Sequence, residues 1–200
     1  DIYCHAFMMG GIYLLARGLL GEKKEQWKWL PAAGLMMGLS FMSKGPVSFY
    51  ALLLPALIAM IACLQPSVKG KWPALSVMIV VCLIVSGWWY VYLYVFQPQA
   101  IDAVIHKETG AWSDHNVRPW YYYWRFFTET GVWTVMMAAA LVVSYWKKVL
   151  QNRRTYLFAI VWTLFALVLL SLMPEKKIRY LLPMMAPCAL CVACLIEQLE

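Results

Sequence analysis

A lysine between two apolar runs is the first group in this sequence that could do chemistry. Lys44 stands in the segment Ser43-Lys44-Gly45-Pro46. A charge at such a place is costly unless it reaches water or a counter-charge. Gly45 permits close backbone approach, and Pro46 can open a returning helix whose N-terminus adds positive potential. The segment therefore predicts an anion site, most simply for a lipid phosphate, with a solvated turn and a snorkelling lysine as the alternative.

A second polar cluster lies at residues 114–120, in the longest connection of the chain. Arg118 can bind a phosphate through two parallel hydrogen bonds. His115 can hydrogen-bond a sugar or a phosphate, or titrate near neutral pH. An ordinary polar loop with surface charges is the alternative interpretation.

A third cluster lies at residues 174–183, where Lys176, Lys177 and Arg179 precede Tyr180 at the start of a helix. Lys176 and Tyr180 share a face if that helix begins early, because residues four apart are neighbours. A basic turn that caps two spans is the alternative. Three cations on the outer side run against the usual charge distribution, so we favour a binding function here.

The remaining candidates carry less signal. Asp1 is a candidate catalytic residue, because carboxylates are the usual general bases for hydroxyl acceptors, and for nearby His5 we expect packing with its hydrogen bonds satisfied. Cys188, Cys191 and Cys194 have metal-like spacing, but their segment is apolar and they are predicted to pack. No Walker loop, nucleophile elbow, Rossmann fingerprint or carboxylate-rich metal site is present, so we expect no cofactor and no metal.

The elements that position these groups are predicted to be transmembrane helices. Hydrophobic residues make up 63% of the 200 residues, and the mean hydropathy is +0.64. A span needs about 20 apolar residues, and the approximate candidates are 2–20, 30–43, 46–64, 74–96, 131–146, 156–173 and 181–196. Breakers at Gly45 and Pro46 split 30–64 into a helical hairpin. We expect an all-α, polytopic membrane protein with about seven spans in one transmembrane domain over residues 1–200.

The segment 97–130 is too polar and too broken to span the membrane. Its aromatic run at 120–127 predicts a helix in the interface, since Trp and Tyr favour that depth, although a plain aromatic belt is the alternative for any single ring.

The distribution of charge predicts the topology. The net charge is +7, and the basic residues lie between apolar runs, which indicates anionic membrane lipid rather than nucleic acid. The breaks alternate, so one set of loops holds Lys23, Lys24, Lys28, Lys69, Lys71, Lys147, Lys148, Arg153 and Arg154. The positive-inside rule places this set in the cytoplasm and all three candidate clusters outside.

Together, residues 38–46 (GLSFMSKGP), 118–123 (RPWYYY) and 176–187, with its RYLLP core, resemble the GT-C class of polyprenyl-phosphate-sugar-dependent membrane glycosyltransferases. The aminoarabinose lipid A transferase and the protein O-mannosyltransferases are the nearest look-alikes. The resemblance implies inverting transfer of a sugar from a polyprenyl-phosphate donor to a lipid or protein acceptor. It also implies a bacterial inner membrane, with the active site facing the periplasm.

The same resemblance implies roles for the candidate residues. Lys44, Arg118, Lys176, Lys177 and Tyr180 would hold the lipid phosphate, with His115 and Arg179 as further substrate-binding residues. The family's principal catalytic Asp lies in an earlier outer loop, so we expect this chain to be a fragment that lacks its N-terminal helices and that loop. Asp1 would be a second acidic residue of the site.

A transporter or flippase for a lipid-linked or anionic substrate is the alternative function. Transporters usually bind near the middle of the membrane, on broken helices within repeats. This sequence places its charges at one face and shows no repeat, which favours the enzyme.

Overall fold

The computed structural model describes residues 2–96, 118–126, 131, 134–142, 152–173, 176 and 178–199. Within those ranges the regular elements are all helices, as the sequence predicts. The α-helices are α1 (Ile2–Leu20), α2 (Gln26–Lys44), α3 (Leu54–Ala59), α4 (Trp72–Phe96), α5 (Thr134–Ala140), α6 (Arg153–Leu172) and α7 (Met185–Leu199). Two π-helical segments (Phe49–Leu53 and Met60–Leu64) and two 3₁₀ helices (Trp120–Arg125 and Ile178–Met184) complete the set.

Four of these helical stretches are long and apolar enough to cross a membrane: Ile2–Leu20, Trp72–Phe96, Arg153–Leu172 and Tyr180–Glu197. Phe49–Leu64 is apolar but shorter. Each of the seven predicted segments contains a described helix, although 143–146 lie outside the described residues. The polytopic, all-α membrane class is therefore confirmed.

The predicted helical hairpin is present, and its second arm is irregular for a local reason. Pro55 lies just inside α3 and is buried. Proline has no N–H, and its ring clashes with the carbonyl four residues earlier, so a regular α-turn is disfavoured at that point. The wider π-helical turn Phe49–Leu53 directly precedes it and accommodates the missing hydrogen bond.

The chain divides into two compact units. Unit 1 comprises Asp1–Leu53 and Pro66–His115, and unit 2 comprises Leu54–Gln65 and Asn116–Glu200. The single transmembrane domain expected over residues 1–200 stays a prediction.

In unit 1, α2 packs against α1 on one side and α4 on the other. The buried face of α1 recurs at helical spacing, with Met8, Ile12, Leu15 and Leu19 all less than a tenth exposed. α4 buries few of its residues and presents most of an apolar surface outward. Such a helix is stable in lipid, where outward apolar side chains carry no penalty.

Two glycines four residues apart let α2 and α4 approach closely. A Cβ at Gly34 would collide with the backbone carbonyl of Met78, and one at Gly38 would lie 2.7 Å from the Cβ of Val85. Small residues at this spacing are a common contact between membrane helices, because van der Waals packing replaces the hydrophobic driving force there.

In unit 2, α6 is the central helix and contacts both α3 and α7. Trp162, Tyr156 and Leu170 on α6 are fully buried. The Tyr156 hydroxyl donates to the carbonyl of Ala140 at the end of α5, which satisfies the buried phenol. Both 3₁₀ helices also pack on α6.

Candidate functional site

Lys44 is the last residue of α2 and stands at the tip of the hairpin, partly exposed. The next residue, Gly45, ends the helix, and its N–H donates to the carbonyl of Phe41 at 2.6 Å. The carbonyl of Pro46 then accepts the N–H groups of Phe49 and Tyr50, so Pro46 opens the returning helix. The sequence predicted both the turn and the role of Pro46, and both are confirmed.

Gly45 is required by its backbone conformation. Its φ is 69° and its ψ is −153°, a region that residues with a Cβ hardly populate. Among the described residues, and apart from its two neighbours in the chain, no atom lies within 4 Å of the position a Cβ would take. The sequence analysis gave Gly45 a role in close approach, but the structure assigns it conformational freedom instead.

Two buried serine hydroxyls stabilise the turn that contains Lys44. The Ser40 hydroxyl donates to the carbonyl of Cys4 on α1 at 2.7 Å, and the oxygens of Ser40 and Ser48 are 2.7 Å apart. Because Ser40 has one hydrogen and gives it to Cys4, Ser48 is the donor in the second bond. Both serines are fully buried. The network ties α1, α2 and the returning arm together one turn from Lys44.

Aromatic rings pack beside the same turn. Phe41 meets Phe49 edge to face at 5.8 Å between ring centroids, and Tyr90 of α4 at 6.1 Å. Edge-to-face pairs at these separations add to the energy of burial. The aromatic end of α4 therefore lies at the Lys44 end of unit 1. The sequence predicts interfacial aromatics only at 120–127, so this aromatic group is an addition from the structure.

The opposite end of unit 1 contains a lysine that the sequence analysis treated only as a topology charge. Lys71 is 5% exposed, and its Nζ donates to the carbonyls of Gly18, Leu19 and Gly21 at 3.1, 2.7 and 3.0 Å. The carbonyls of Gly18 and Leu19 belong to the last turn of α1, where no partner within the helix is available, and Gly21 directly follows the helix. Burial lowers the pKa of Lys71 from its usual value, and the nearby Lys23 ammonium lowers that pKa further. No local pattern identifies this role, because the partners lie at least 50 residues away.

In the second cluster, Arg118 is exposed, and its guanidinium lies over the ring of Tyr122 at 5.1 Å from the centroid. This contact holds a guanidinium without using up its hydrogen-bond donors. The aromatic run divides by burial: Tyr121 is 58% exposed, whereas Tyr123 and Phe126 are buried. The segment predicted to be an interfacial helix forms a 3₁₀ helix, and the rings of Tyr123 and of Phe126, which follows that helix, pack in the core.

In the third cluster, Lys176 is buried, and its Nζ donates to the carbonyl of Met173 at 2.5 Å, where α6 ends. Burial lowers the pKa of this lysine. Tyr180 is 4% exposed in the 3₁₀ helix that precedes α7. Lys176 therefore has the capping contact that the alternative interpretation required, and its phosphate role stays a prediction.

Several predicted site residues cannot be compared with the structure. Asp1, His115 and Lys177 lie outside the described residues. Arg179 lies in the 3₁₀ helix Ile178–Met184. Their proposed roles stay predictions.

The cysteines of α7 pack as predicted: Cys188, Cys191 and Cys194 are buried. Cys188 also lines an apolar cavity of about 330 Å³ in unit 2, together with Met137 and Val192. Its apolar lining suits a hydrocarbon chain and offers no charge to a phosphate. In the described ranges, no three metal-ligating side chains come together.

His5 is a buried polar residue whose environment differs from the sequence-based prediction. It is 6% exposed on α1, so the packing prediction is confirmed. Its Nδ1 is buried and has no hydrogen-bond partner among the described residues, so the expectation of satisfied hydrogen bonds is wrong. The hydrogen bond from Ser40 to the carbonyl of Cys4 joins the start of α1 to the end of α2, so His5 and Lys44 lie at the same end of unit 1.

Comparison with known proteins gives consistent matches. The family model of dolichyl-phosphate-mannose-protein mannosyltransferases matches residues 1–90. The undecaprenyl phosphate-alpha-4-amino-4-deoxy-L-arabinose arabinosyl transferase 1 of Pseudomonas fluorescens is 30% identical over 165 residues, which cover 78% of this chain and 28% of that protein. The corresponding transferase of Pectobacterium atrosepticum is 27% identical over 99% of this chain and 35% of its own length.

A solved structure shares the fold. The crystal structure of ArnT from Cupriavidus metallidurans bound to undecaprenyl phosphate aligns with a TM-score of 0.72 and 17% sequence identity, over 96% of this chain and 35% of that one. The predicted resemblance to the GT-C class of polyprenyl-phosphate-sugar glycosyltransferases is confirmed by these matches. The chain spans only 28% to 35% of the length of these curated relatives.

Proposed function

We propose that this chain supplies the phosphate-binding part of a membrane glycosyltransferase. The full-length enzyme would transfer a sugar, with inversion, from a polyprenyl-phosphate donor to a lipid or protein acceptor at the outer face of the membrane. The observation that carries the proposal is the position of Lys44, a partly exposed cation at the tip of the hairpin. The buried hydrogen bond between Ser40 and Ser48 stabilises this hairpin. The names of the relatives, which contain undecaprenyl phosphate, support the donor class.

The proposed reaction places charge where Lys44 stands. The acceptor oxygen attacks the anomeric carbon from the side opposite the phosphate, and the bond from that carbon to the phosphate oxygen breaks. The electron pair of that bond leaves with the phosphate, and the acceptor proton passes to a carboxylate, for which Asp1 is the candidate on this chain. A fixed cation stabilises the charge that develops on the departing phosphate.

The second unit contributes its own candidates under this proposal. The guanidinium of Arg118 lies over the ring of Tyr122, and a contact with a ring face does not consume the N–H donors of a guanidinium. We assign Arg118, Tyr180, Lys176 and Lys177 to phosphate binding, as the family resemblance implies. We assign His115 and Arg179 to substrate binding because they lie in the same two polar clusters. Lys176 would have to exchange its bond to the Met173 carbonyl for one to the ligand.

Sugar transfer by the full-length protein, from a defined undecaprenyl-phosphate-sugar donor, tests the proposal. Lys44→Ala removes a charge-assisted contact of about 1.5–3 kcal/mol, so transfer should slow about ten- to a hundred-fold or more. Lys44→Arg should recover only part of the rate, because a planar fork does not replace a point charge in a tight turn. Lys69→Ala is the matched control, since Lys69 is an exposed lysine in another loop.

The outcomes separate the proposal from its alternatives. Wild-type transfer by Lys44→Ala, at equal expression and melting temperature, would remove Lys44 from the site. Movement of the lipid-linked sugar across vesicles without any new glycosidic bond would instead indicate a transporter. Accessibility labelling of single cysteines at positions 44 and 147 tests the orientation, and reaction of both from the same side contradicts it.

A further inference from the structure

One ring nitrogen of His5 is buried and has no hydrogen-bond partner among the described residues. A buried polar atom without a hydrogen bond is rare in native structures and carries a desolvation cost. His5 lies in the first turn of α1 and is 6% exposed, and it is the Nδ1 atom that lacks a partner. The stability of the unit alone does not account for retaining an imidazole there, since an apolar ring fills similar space without that cost.

The surroundings of His5 are those of the Lys44 turn. The carbonyl of the preceding residue, Cys4, accepts the hydrogen bond from Ser40. Ser40 lies four residues, or about one helical turn, before Lys44 at the end of α2. The first turn of α1 and the last turn of α2 thus meet at one end of unit 1, and the Nδ1 atom of His5 lies at this end.

We propose that His5 is a ligand-binding residue of the Lys44 site and that its Nδ1–H donates a hydrogen bond to an oxygen of the donor's phosphate. This inference rests on the proposed function. A neutral imidazole has one N–H donor and one acceptor nitrogen, and a phosphate offers only acceptors, so the bonding nitrogen must carry the hydrogen. A phosphate held by Lys44 through one oxygen presents another to His5, which satisfies the nitrogen only when the donor is bound.

A water molecule is the simplest competing partner. A buried water needs two to four polar contacts, so it would make Nδ1 part of a permanent internal network. Loss of the imidazole would then lower stability without the donor. If Nδ1 instead binds the ligand, loss of the imidazole should weaken ligand binding and leave the stability without ligand unchanged or improved.

The experiment measures the affinity of undecaprenyl phosphate and the melting temperature without ligand, using the full-length protein in detergent. His5→Phe removes both ring nitrogens while it keeps an apolar ring. His5→Asn keeps an amide near the position of Nδ1, and His5→Gln keeps one near the position of Nε2. We expect affinity at least tenfold weaker for His5→Phe and His5→Gln, near-normal affinity for His5→Asn, and an unliganded melting temperature for His5→Phe that equals or exceeds that of the wild type.

Gln26→Met is the matched control. Gln26 is also buried, and its Oε1 also lacks a partner among the described residues. It begins the helix that Lys44 ends, about 27 Å away at 1.5 Å per residue. Its replacement should leave the affinity for undecaprenyl phosphate unchanged.

Three results would overturn the inference. Unchanged affinity for undecaprenyl phosphate in His5→Phe would remove His5 from the site. A lower melting temperature of that variant without ligand would indicate that the imidazole has an internal partner. Near-normal affinity in His5→Gln but not in His5→Asn would exclude Nδ1 as the bonding atom. Lys44→Ala, measured in parallel, separates the two proposals. If Lys44→Ala weakens binding and His5→Phe does not, only the His5 inference fails, whereas no effect of Lys44→Ala contradicts the phosphate site itself.

Discussion

The two ends of α1 use their polar groups in opposite ways. At the C-terminal end, Lys71 is buried, and its ammonium donates to three backbone carbonyls. A lysine has three N–H donors, so the protein itself uses them all. At the N-terminal end, Lys44 is partly exposed, and the neighbouring His5 keeps a buried nitrogen without a partner in the described part of the chain.

The difference separates structural cations from candidate binding groups. A lysine whose donors are filled by carbonyls stabilises the end of a helix and has nothing left for a ligand. Lys176 is also buried and bonded to a carbonyl, that of Met173, but this bond uses only one of the three N–H donors of an ammonium group. At the other end of α1, the buried Nδ1 of His5 has no hydrogen-bond partner among the described residues, and this is the atom that we propose a ligand satisfies.

The largest effect should come from Lys71→Met, which keeps an apolar stem but leaves three carbonyls at the end of α1 without their donor. Charge-assisted hydrogen bonds contribute about 1.5–3 kcal/mol each and do not simply add, so we expect a stability loss of about 3 kcal/mol or more. Unfolding of the full-length protein in detergent measures it. Lys69→Met changes an exposed lysine of the same loop and should stay within about 0.5 kcal/mol. Equal losses in both variants would erase the contrast between the two ends.

An intermediate effect is expected from Gly45→Ala. The backbone of Gly45 lies where a Cβ is strained, and such strain costs about 1–3 kcal/mol. No neighbouring atom would clash, so the whole loss is conformational. We expect lower stability and weaker undecaprenyl phosphate binding together, because the turn that positions Lys44 must shift.

The matched control for Gly45 is Gly87→Ala in α4, where an added Cβ also meets nothing within 4 Å. Alanine favours a helix by about 0.5–1 kcal/mol over glycine, so this change should be neutral or stabilising. A Gly45→Ala protein that behaves like Gly87→Ala would show that the Lys44 turn is not fixed by its backbone.

The smallest effect should come from Ser48→Ala, which removes the hydrogen bond to Ser40 and leaves the bond from Ser40 to Cys4 intact. One neutral hydrogen bond contributes about 1 kcal/mol, and donor affinity should fall only a few-fold as the turn loosens. Ser43→Ala serves as the control, because Ser43 is exposed and donates only to Leu39 of its own helix. Identical stability and affinity in the two variants would show that the buried serine network does not support the site.

Much of the fold was predictable because it depends on local patterns. A span is defined by a run of apolar residues, and the hairpin by Gly45 and Pro46, which break a helix through their own backbone geometry. The predicted segment 2–20 coincides with α1. The helix ends were less predictable: α2 begins at Gln26 rather than residue 30, because a polar turn can extend a helix beyond its apolar run.

The candidate site was predictable in residue type but not in the use of each residue. Lysines 44, 71 and 176 look alike in the sequence, since each interrupts or borders an apolar run. Their roles separate only when burial and partners are known, and two of them cap helix ends. His5 could be recognised as buried from its place on α1, but nothing local shows that one of its nitrogens lacks a partner.

The sequence by itself determined the membrane class, the helical segments, the hairpin at Gly45 and the resemblance to the GT-C class, because apolar runs, breakers and motifs are properties of neighbouring residues. Only the tertiary structure decided that Lys71 and Lys176 donate to backbone carbonyls and that the buried Nδ1 of His5 has no partner among the described residues. Hydrogen bonds such as that from Lys71 to Gly18, across 53 residues, form only when distant segments are packed together. Desolvation likewise depends on which helix covers a side chain, and no local pattern specifies that neighbour.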